Sequence, residues 1–547
     1  MPRRPLLATL CLSAMTAAFL WLASPPGESS LTPGPSTAWS ASRVRPVASR
    51  FADLREAPSR PAREGERDSR IDSSFSEAEL LAFQAAALRL PPDPRIQTPA
   101  GSRGVELSLG TNFDSIDITE CCDQGTLNPP DPELAVGPSH VIAVVNASLE
   151  IYDKSGTSLA GPLPFETFYS HLPGPCTVFP FDPNVLYDEA ADRFIVGADG
   201  DGVSYCVGVT QTGDPLGAYF FYEFPTNVGG DFFDYPHAGV GADAIYVGAN
   251  MFGGAGVGRV FAFEKAAMYA GLPAAAATRD LGSSGTPQPM NVHPPFPAGG
   301  PHYVLTSRGG TSNPSLFGLF SWDDPFGADV LTDLTTIDTT TVHGITVGFP
   351  ISNPQQGGSN ITAFNPRPLD FEARDGFGWF ANGVSCNPGA GTRNCIQWAR
   401  VDLAAAAAVD AGVFADEVSW RYMPDLAVNA CGDLAIGYTT SDSSTFAGIR
   451  VAGRKADDPP GTLQGELVVK AGETTFGGPD RWGDYTGMTS DPDGATFWYL
   501  GEYAKDIPDP RNWGTYIGAV AFPDCGPGIF ADGFESGDTS AWSTTVP

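Results

Sequence analysis

From residue 131 onward the sequence returns again and again to one kind of unit, and that recurrence limits the available folds more than any other feature. Each unit opens with a short segment rich in Asp, Pro and Gly, passes through an apolar strand-like run, turns, and continues into a second run. The first holds Asp131-Pro132-Glu133-Leu134-Ala135-Val136, then His140 to Asn146, then Leu149-Glu150-Ile151-Tyr152-Asp153. The second begins at Asp182-Pro183-Asn184-Val185 and the third at Asp234-Tyr235-Pro236-His237, while fainter copies start at Met290, Leu369, Asp425 and Asp484. Starts at 131, 182, 234 and 290 lie 51, 52 and 56 residues apart, which is room for four strands per unit. A four-stranded unit buries neither face alone, so such units stack radially and the ring closes to hide its edges. Seven copies predict an all-β, seven-bladed β-propeller over residues 104–523. Six or eight blades stay open, because 323–368 is irregular. Val105-Glu106-Leu107-Ser108-Leu109 alternates just before the first copy and is a candidate strand for completing the last blade. A row of separate β-sandwiches would need linkers between domains of about 100 residues, and none is visible.

Composition agrees with a turn-rich β protein. The 547 residues include 64 Gly and 50 Pro, with 11% aromatic and only 17% charged residues, which argues against a coiled coil or helical bundle. The formal charge is −32, from 31 basic and 63 acidic residues. Residues 25–103 carry 11 Arg against 10 acids, so 104–547 hold 18 basic and 53 acidic groups, a balance of −35. So negative a domain is a poor partner for nucleic acid or anionic lipid. Neutral glycans, peptides, cations and basic surfaces stay open.

The N-terminus reads as an export signal over residues 1–24: Arg3 and Arg4, an apolar run from Leu6 to Leu22, then Ala23-Ser24 before Pro25-Pro26. A membrane anchor would need about 20 apolar residues and usually a basic stop beyond them, so secretion without membrane insertion is the expectation. Residues 25–103, rich in Pro, Ser, Ala and Arg, read as a largely disordered linker or pro-segment. Within it Ser76-Glu77-Ala78-Glu79 forms a capping box opening a short helix near 77–90. Removing Cys11 with the signal leaves eight cysteines, an even number that in an exported chain favours disulfides. Cys386 and Cys395, enclosing Asn387-Pro388-Gly389-Ala390-Gly391, are the pair expected to pin a hairpin. For the vicinal Cys121-Cys122, a ring and two separate bridges are both open.

Three segments carry a family resemblance: Asp234-Tyr235-Pro236-His237 with Ala262-Phe263-Glu264, Asp433 to Ser441 with Ile449-Arg450 and Gly453-Arg454, and Arg481-Trp482-Gly483-Asp484-Tyr485 with Phe497-Trp498-Tyr499 and Glu502-Tyr503. They resemble motifs of a large, mostly uncharacterised family of secreted bacterial β-propeller proteins. That resemblance implies a fold and an extracellular setting but no agreed reaction, and His237 stands where relatives would carry a lysine. A second resemblance is to sialidase-type propellers, whose Asp-box turn is similar to Ser490-Asp491-Pro492-Asp493-Gly494-Ala495-Thr496-Phe497, with the Asp displaced. Sialidase chemistry would imply three convergent arginines, a tyrosine nucleophile with a glutamate partner and an acidic proton donor. Arg450, Arg481, Tyr485, Glu502 and Asp484 are of the right types, but the Arg-Ile-Pro signature is missing.

The residues themselves nominate Arg481, Trp482, Asp484 and Tyr485 as the densest polar and aromatic cluster. Such a set can orient a sugar or peptide, or simply pair its charges and fill a blade junction. Catalytic candidates are therefore Asp484, Tyr485 and Glu502, and ligand-binding candidates are Arg450, Arg481, Trp482, Asp234 and His237. Asp199-Gly200-Asp201-Gly202 and Asp491-Pro492-Asp493-Gly494 place paired carboxylates on tight turns. Calcium is thus the one cofactor for which the sequence offers ligands, though turn chemistry alone also accounts for Asp-Gly pairs. No Gly-x-Ser-x-Gly elbow, His-Glu-x-x-His helix or phosphate loop occurs. The tail from 524 to 547, with Asp532-Gly533-Phe534-Glu535-Ser536-Gly537-Asp538, resembles a short C-terminal sorting motif of exported bacterial proteins. Together these features lead to an expected monomeric, secreted binding or scaffold propeller for an extracellular glycan or peptide. A sialidase-like glycoside hydrolase or a polysaccharide lyase is the alternative.

Overall fold

The computed structural model describes residues 43–55, 77–99, 104, 106–121, 128–253, 257–296, 299–308, 313–362, 366–478 and 481–525. The signal region, the capping Ser76 and the tail from 526 lie outside the described residues.

Seven sheets follow one another around a ring, antiparallel except where the two-residue strand Asn291–Val292 adds to blade 5 in parallel beside Glu372–Arg374. Named from axis to rim, blade 1 is Glu133–Val136, His140–Val145, Ser148–Asp153 and Ser158–Pro164. Blade 2 is Pro180–Asp188, Arg193–Gly200, Ser204–Thr210 and Ala218–Pro225, and blade 3 is Phe232–Val240, Ala244–Phe252, Val257–Glu264 and Ala276–Asp280. Blade 4 is Gly285–Pro289, His302–Ser307, Leu316–Asp323 and Val330–Asp338, and blade 5 is Glu372–Arg374, Phe377–Cys386, Arg393–Asp402 and Ala407–Phe414. Blade 6 is Trp420–Val428, Leu434–Asp442, Thr445–Arg454 and Glu466–Lys470. Blade 7 is Gly487–Ser490, Thr496–Ala504, Trp513–Ala521 and, from the other end of the chain, Ser108–Asp117. A closing strand is therefore present, but it is shifted toward the C-terminus: only Ser108 and Leu109 of the expected Val105–Leu109 belong to it. It begins at Ser108, pairs Leu109 with Val520, and removes the edge that an open ring would expose. The inner strands of blades 7 and 1 meet so closely that a Cβ on Gly487 would lie 2.7 Å from the Leu134 backbone nitrogen.

The core is a set of layers between adjacent blades. Val207, Phe224, Val247 and Phe263 fill one such layer, Leu305, Phe317, Phe380 and Val401 another, and Leu134, Val141, Leu500 and Ile517 close the last seam. Because each blade is covered on both faces, its middle strands are buried at nearly every position, as in Leu434–Asp442. Continuous apolar runs follow from that burial, whereas the outermost Val330–Asp338 is largely exposed.

Two parts of the 25–103 stretch are built into the propeller. Val47–Arg50 pairs antiparallel with Ala218–Pro225 as a fifth strand on blade 2, and the next residue, Phe51, is buried beside Phe168 and Tyr219. The helix Glu77–Ala87 is held where Thr392 donates to the Ala87 carbonyl at 3.0 Å and Asn387 to that of Leu90 at 2.8 Å. Among the described residues, disulfides link Cys176 to Cys206, Cys386 to Cys395 across the expected hairpin, and Cys431 to Cys525. Among the described residues no helix is long and apolar enough to cross a membrane.

Candidate functional site

The Asp- and Pro-rich openings of the repeats are kinks in the innermost strands. Asp131, Asp182, Tyr235, Thr286, Met423 and Asp484 all have φ between 46° and 75°. Proline follows in the first five, and Tyr485 in the last. Strand pairing skips there, between Phe181 and Asn184, Asp234 and His237, Gly285 and Gln288, and Tyr422 and Asp425. Such a bulge re-aims the side chains around it. Two residues after the kink, polar groups reach the next blade: Asn184 donates to the Pro236 carbonyl at 3.0 Å and Gln288 to that of Pro368 at 2.9 Å. In the same position Glu133 accepts the Val185 N–H at 3.1 Å and Asp425 accepts that of Met488 at 2.6 Å. The kink residues themselves gather at one end of the ring, its mouth.

Four aspartates from blades 1, 2, 3 and 7, Asp131, Asp182, Asp234 and Asp484, share the field of Arg481 there, and Asp199 of blade 2 is linked electrostatically to Asp182 and Asp234. Arg481 pairs with Asp484, and the charges of Asp131 and Asp182 also act on it. The Tyr485 hydroxyl donates to Asp182 at 3.1 Å, and that of Tyr235 to the Asp484 carbonyl at 2.8 Å. Asp131 accepts from Asn146. Burial, reinforced by Asp182, pushes the Asp234 carboxyl up to about 8. Burial, with Asp234 and Asp182 adding to it, holds Asp199 well above the usual carboxylate range. His237 packs its ring 4.6 Å from Tyr235 and 5.1 Å from Tyr485. Burial and the Arg367 guanidinium push it down to about 3, so its ring is neutral. Arg367 lies 4.7 Å over the Tyr235 ring, and Ile361 and Leu369 on either side of it pack in one cluster with Tyr235, Trp482 and Tyr485.

Of the residues nominated from the sequence, Arg481, Asp484, Tyr485, Asp234, His237 and Asp199 share this region. Trp482 lies in the core beneath it, edge-on to Phe476 at 4.8 Å, with its Nε1 donating to Thr439 at 3.3 Å. Glu502 is buried nearby and accepts the Gly483 N–H at 2.8 Å, and burial raises its carboxyl well above its ordinary value. Arg450 sits elsewhere, on the third strand of blade 6, donating to Thr440 at 3.1 Å and to Glu466 at 3.3 Å. Asp201 is exposed on its turn. Asp491 is engaged by Lys154 at 2.7 Å and by Trp498 Nε1 at 2.8 Å, while Asp493 accepts the N–H groups of Ala495 and Thr496 at 2.7 and 2.8 Å. The Asp-box-like turn thus spends its carboxylates on its own backbone and on a lysine of blade 1. Beside it a groove of about 590 Å³ runs past Ser108, Lys154 and Trp498.

Sequence reasoning missed a second set along the axis. Glu133, Asp370, Glu372 and Asp425 line a cavity of about 40 Å³, with His293 bonded to Glu372. Burial pushes Glu133 up to about 8, while Glu372, which burial alone would raise, is held below its ordinary value by His293. The available signal was the repeated polar residue two places after each kink, which recurs only when the blades are aligned on their kinks.

The mouth concentrates negative charge beside aromatic rings. It suits ammonium groups and hydroxyl donors and repels carboxylates and phosphates. No family model matches the chain, and no curated protein matches it. Among solved structures it is similar to the Dos1 propeller, at 10% identity over 76% of this chain and 95% of that one, with a TM-score of 0.34. It is also similar to a subtype N11 neuraminidase-like protein of A/flat-faced bat/Peru (H18N11), at 10% identity over 68% and 98%, TM-score 0.33. A thermostable family-43 glycoside hydrolase matches at 12% identity over 63% and 90%, TM-score 0.27. At such identities the likeness is one of fold, and no ligand or chemistry passes from these proteins to this chain.

Proposed function

We propose that this chain is a secreted propeller that binds an extracellular glycan or a peptide with basic residues at its acid-lined mouth. The observation that supports it is the electrostatic linkage of Asp131, Asp182, Asp199, Asp234 and Asp484 at the mouth beside Tyr235 and Tyr485, with Arg481 already committed to Asp484. Export through a signal at 1–24 fits the disulfides, since such bonds persist in oxidising compartments. In this reading the parts of 25–103 outside the strand Val47–Arg50 and the helix Glu77–Ala87 serve as a spacer or pro-segment, 524–547 is a sorting tail, and kinship lies with the secreted bacterial propellers.

A hydrolase acting on neutral polysaccharide is the second reading. It is favoured by the electrostatically linked carboxyls of Asp182 and Asp234, which come from different blades, the kind of pair that acid–base cleavage of a glycosidic bond uses. An anionic sugar fits less well, because Arg450 is committed within blade 6. The test is a glycan and cationic-peptide array together with a polysaccharide-hydrolysis screen, using wild type, Asp234→Asn and Asp484→Asn. Measured at pH 9, above the Asp234 value of about 8, binding weakened about tenfold or more in both variants, one desolvated charge–charge contact being worth about that much, with no sugar released, is the expected result. Unchanged binding in both variants would remove the mouth as the site, and hydrolysis lost in Asp234→Asn would establish the second reading instead.

A further inference from the structure

We propose that the cleft between blades 5 and 6, at the end of the ring opposite the mouth, binds a small oxyanion, a carboxylate or sulfate group, on Arg374, Arg400 and Arg454. The site stands whatever the mouth binds. The kinks of the mouth lie near the starts of the innermost strands, whereas Arg374 and Val428, which border this cleft, are the last residues of theirs. Arg400 lies on the third strand of blade 5, directly across from Trp379 of the second. Arg454 ends the third strand of blade 6, paired with Leu434. Together with Phe377, Trp379 and Gly432 the three arginines line a cavity of about 120 Å³, the size for one oxyanion group.

Their donors are only partly met. Among the described residues the Arg400 guanidinium makes no hydrogen bond or ion pair; it lies 3.6 Å over the Phe377 ring and 5.1 Å over that of Trp379, and its Nε has no acceptor. Arg454 is 5% exposed and gives one Nη to Asp410 and the other to the Asp458 carbonyl at 2.8 Å, yet its buried Nε has no acceptor either. Arg374 donates to the Val428 carbonyl at 3.1 Å and to Ser490 at 3.3 Å, and pairs with no carboxylate among the described residues. Burial, against the pull of Asp410 and with the Arg454 charge adding to it, holds Arg400 below the ordinary guanidinium value. Unmet donors of like charge beside aromatic rings are costly in the bare protein, and an oxyanion supplies the missing acceptors. The guanidinium fork suits a group with two oxygens side by side. Exposed Asp375 is the one acid among the described lining residues, so three positive charges face one negative. That reverses the balance of a domain with 18 basic and 53 acidic groups over 104–547, where Arg259, Arg279 and Arg421 are bound to carboxylates.

The experiment titrates the full chain with sodium sulfate and, separately, sodium acetate, at an ionic strength held constant with sodium chloride, by calorimetry and thermal melting. Sulfate stabilises proteins in general, so the rise in Tm is read as the excess over that of Arg400→Gln. Wild type is expected to bind one anion and to show that excess, by mass action on the folded state. Arg400→Gln removes a cation that has no partner, so it should fold, and it should weaken anion binding about tenfold or more, the worth of one desolvated charge–charge contact. Arg400→Lys keeps the charge without the fork, should bind between the two, and decides the matter if Arg400→Gln does not fold. Changing Asp532, Glu535 and Asp538 to their amides tells the source of the anion. Asp532 stands seven residues beyond Cys525, whose disulfide partner Cys431 adjoins Gly432. Tighter sulfate binding in that variant assigns the cleft to the chain's own carboxylates, and unchanged binding assigns it to an anion from outside. Absence of binding of either anion to wild type would overturn the proposal, and so would wild-type affinity in the folded Arg400 variants.

Discussion

His293 is clamped between two acids, its Nδ1 2.6 Å from Glu189 and its Nε2 bonded to Glu372. Burial works against its charge, but the fields of Glu372 and Glu189 outweigh that and raise it to about 9. An imidazolium favoured by the folded state contributes stability that is fully present below the unfolded value of about 6.5 and is lost as pH rises through about 9. Glu133 acts in the same direction: the unfolded chain ionises it near 4.5, the native state holds its proton to about 8, and stability falls as pH rises between the two. Urea midpoints are therefore expected to decline from mildly acidic pH toward pH 9. His293→Gln leaves Glu372 and Glu189 facing each other and should cost about 3 kcal/mol at pH 6, with a flatter decline above it. A midpoint at pH 6 equal to that of wild type would show that the clamp adds nothing. None of this was legible locally, because His293 and Glu372 are 79 residues apart in the chain and nothing in either neighbourhood marks a partner.

At the scale of elements, the fifth strand on blade 2 is the clearest case of structure the sequence conceals. Val47–Arg50 is four residues long and half-exposed, and what places it is backbone pairing with the free edge of Ala218–Pro225, which any side chains permit. Its anchor is Phe51, 1% exposed. Phe51→Ala should cost about 3–5 kcal/mol if the site cannot collapse. The loss should appear first as faster amide exchange along Ala218–Pro225; unchanged protection there would mean that the strand is dispensable. The kinks show the reverse balance. Asp131-Pro132, Asp182-Pro183 and Pro236 were readable as repeat openings, but their bulged geometry was not, since a positive φ at a non-glycine residue is tolerated only when neighbouring blades hold it in place. The Cys386–Cys395 hairpin was readable from both sides, because a nine-residue separation with Pro and Gly inside leaves few other conformations.

For the whole molecule, closure is the decisive event. Blade 7 takes its outer strand from Ser108–Asp117, so the ring is locked by residues that begin the domain and residues that end it. Deleting 104–117 leaves the Trp513–Ala521 edge bare and is expected to cause aggregation. Size-exclusion chromatography with far-ultraviolet dichroism checks this, and a well-folded monomer of the truncated chain would refute it. The sequence by itself determined the strand-rich class, the period near 50 residues and a closed ring of six to eight blades, because these depend on local alternation and turn chemistry repeated along the chain; the tertiary structure set the count at seven and the closing strand at Ser108–Asp117. Only the tertiary structure decided which acids meet. Tyr485 donates to Asp182 across 303 residues of sequence, and Tyr235 reaches Asp484 across 249. Those contacts exist because a closed ring brings equivalent positions of every blade to one mouth, a constraint that acts through the axis and leaves no trace in neighbouring residues. The same constraint put Trp482 in the core and Arg450 in another blade's ion network, and left one oxygen of Asp199 without a donor.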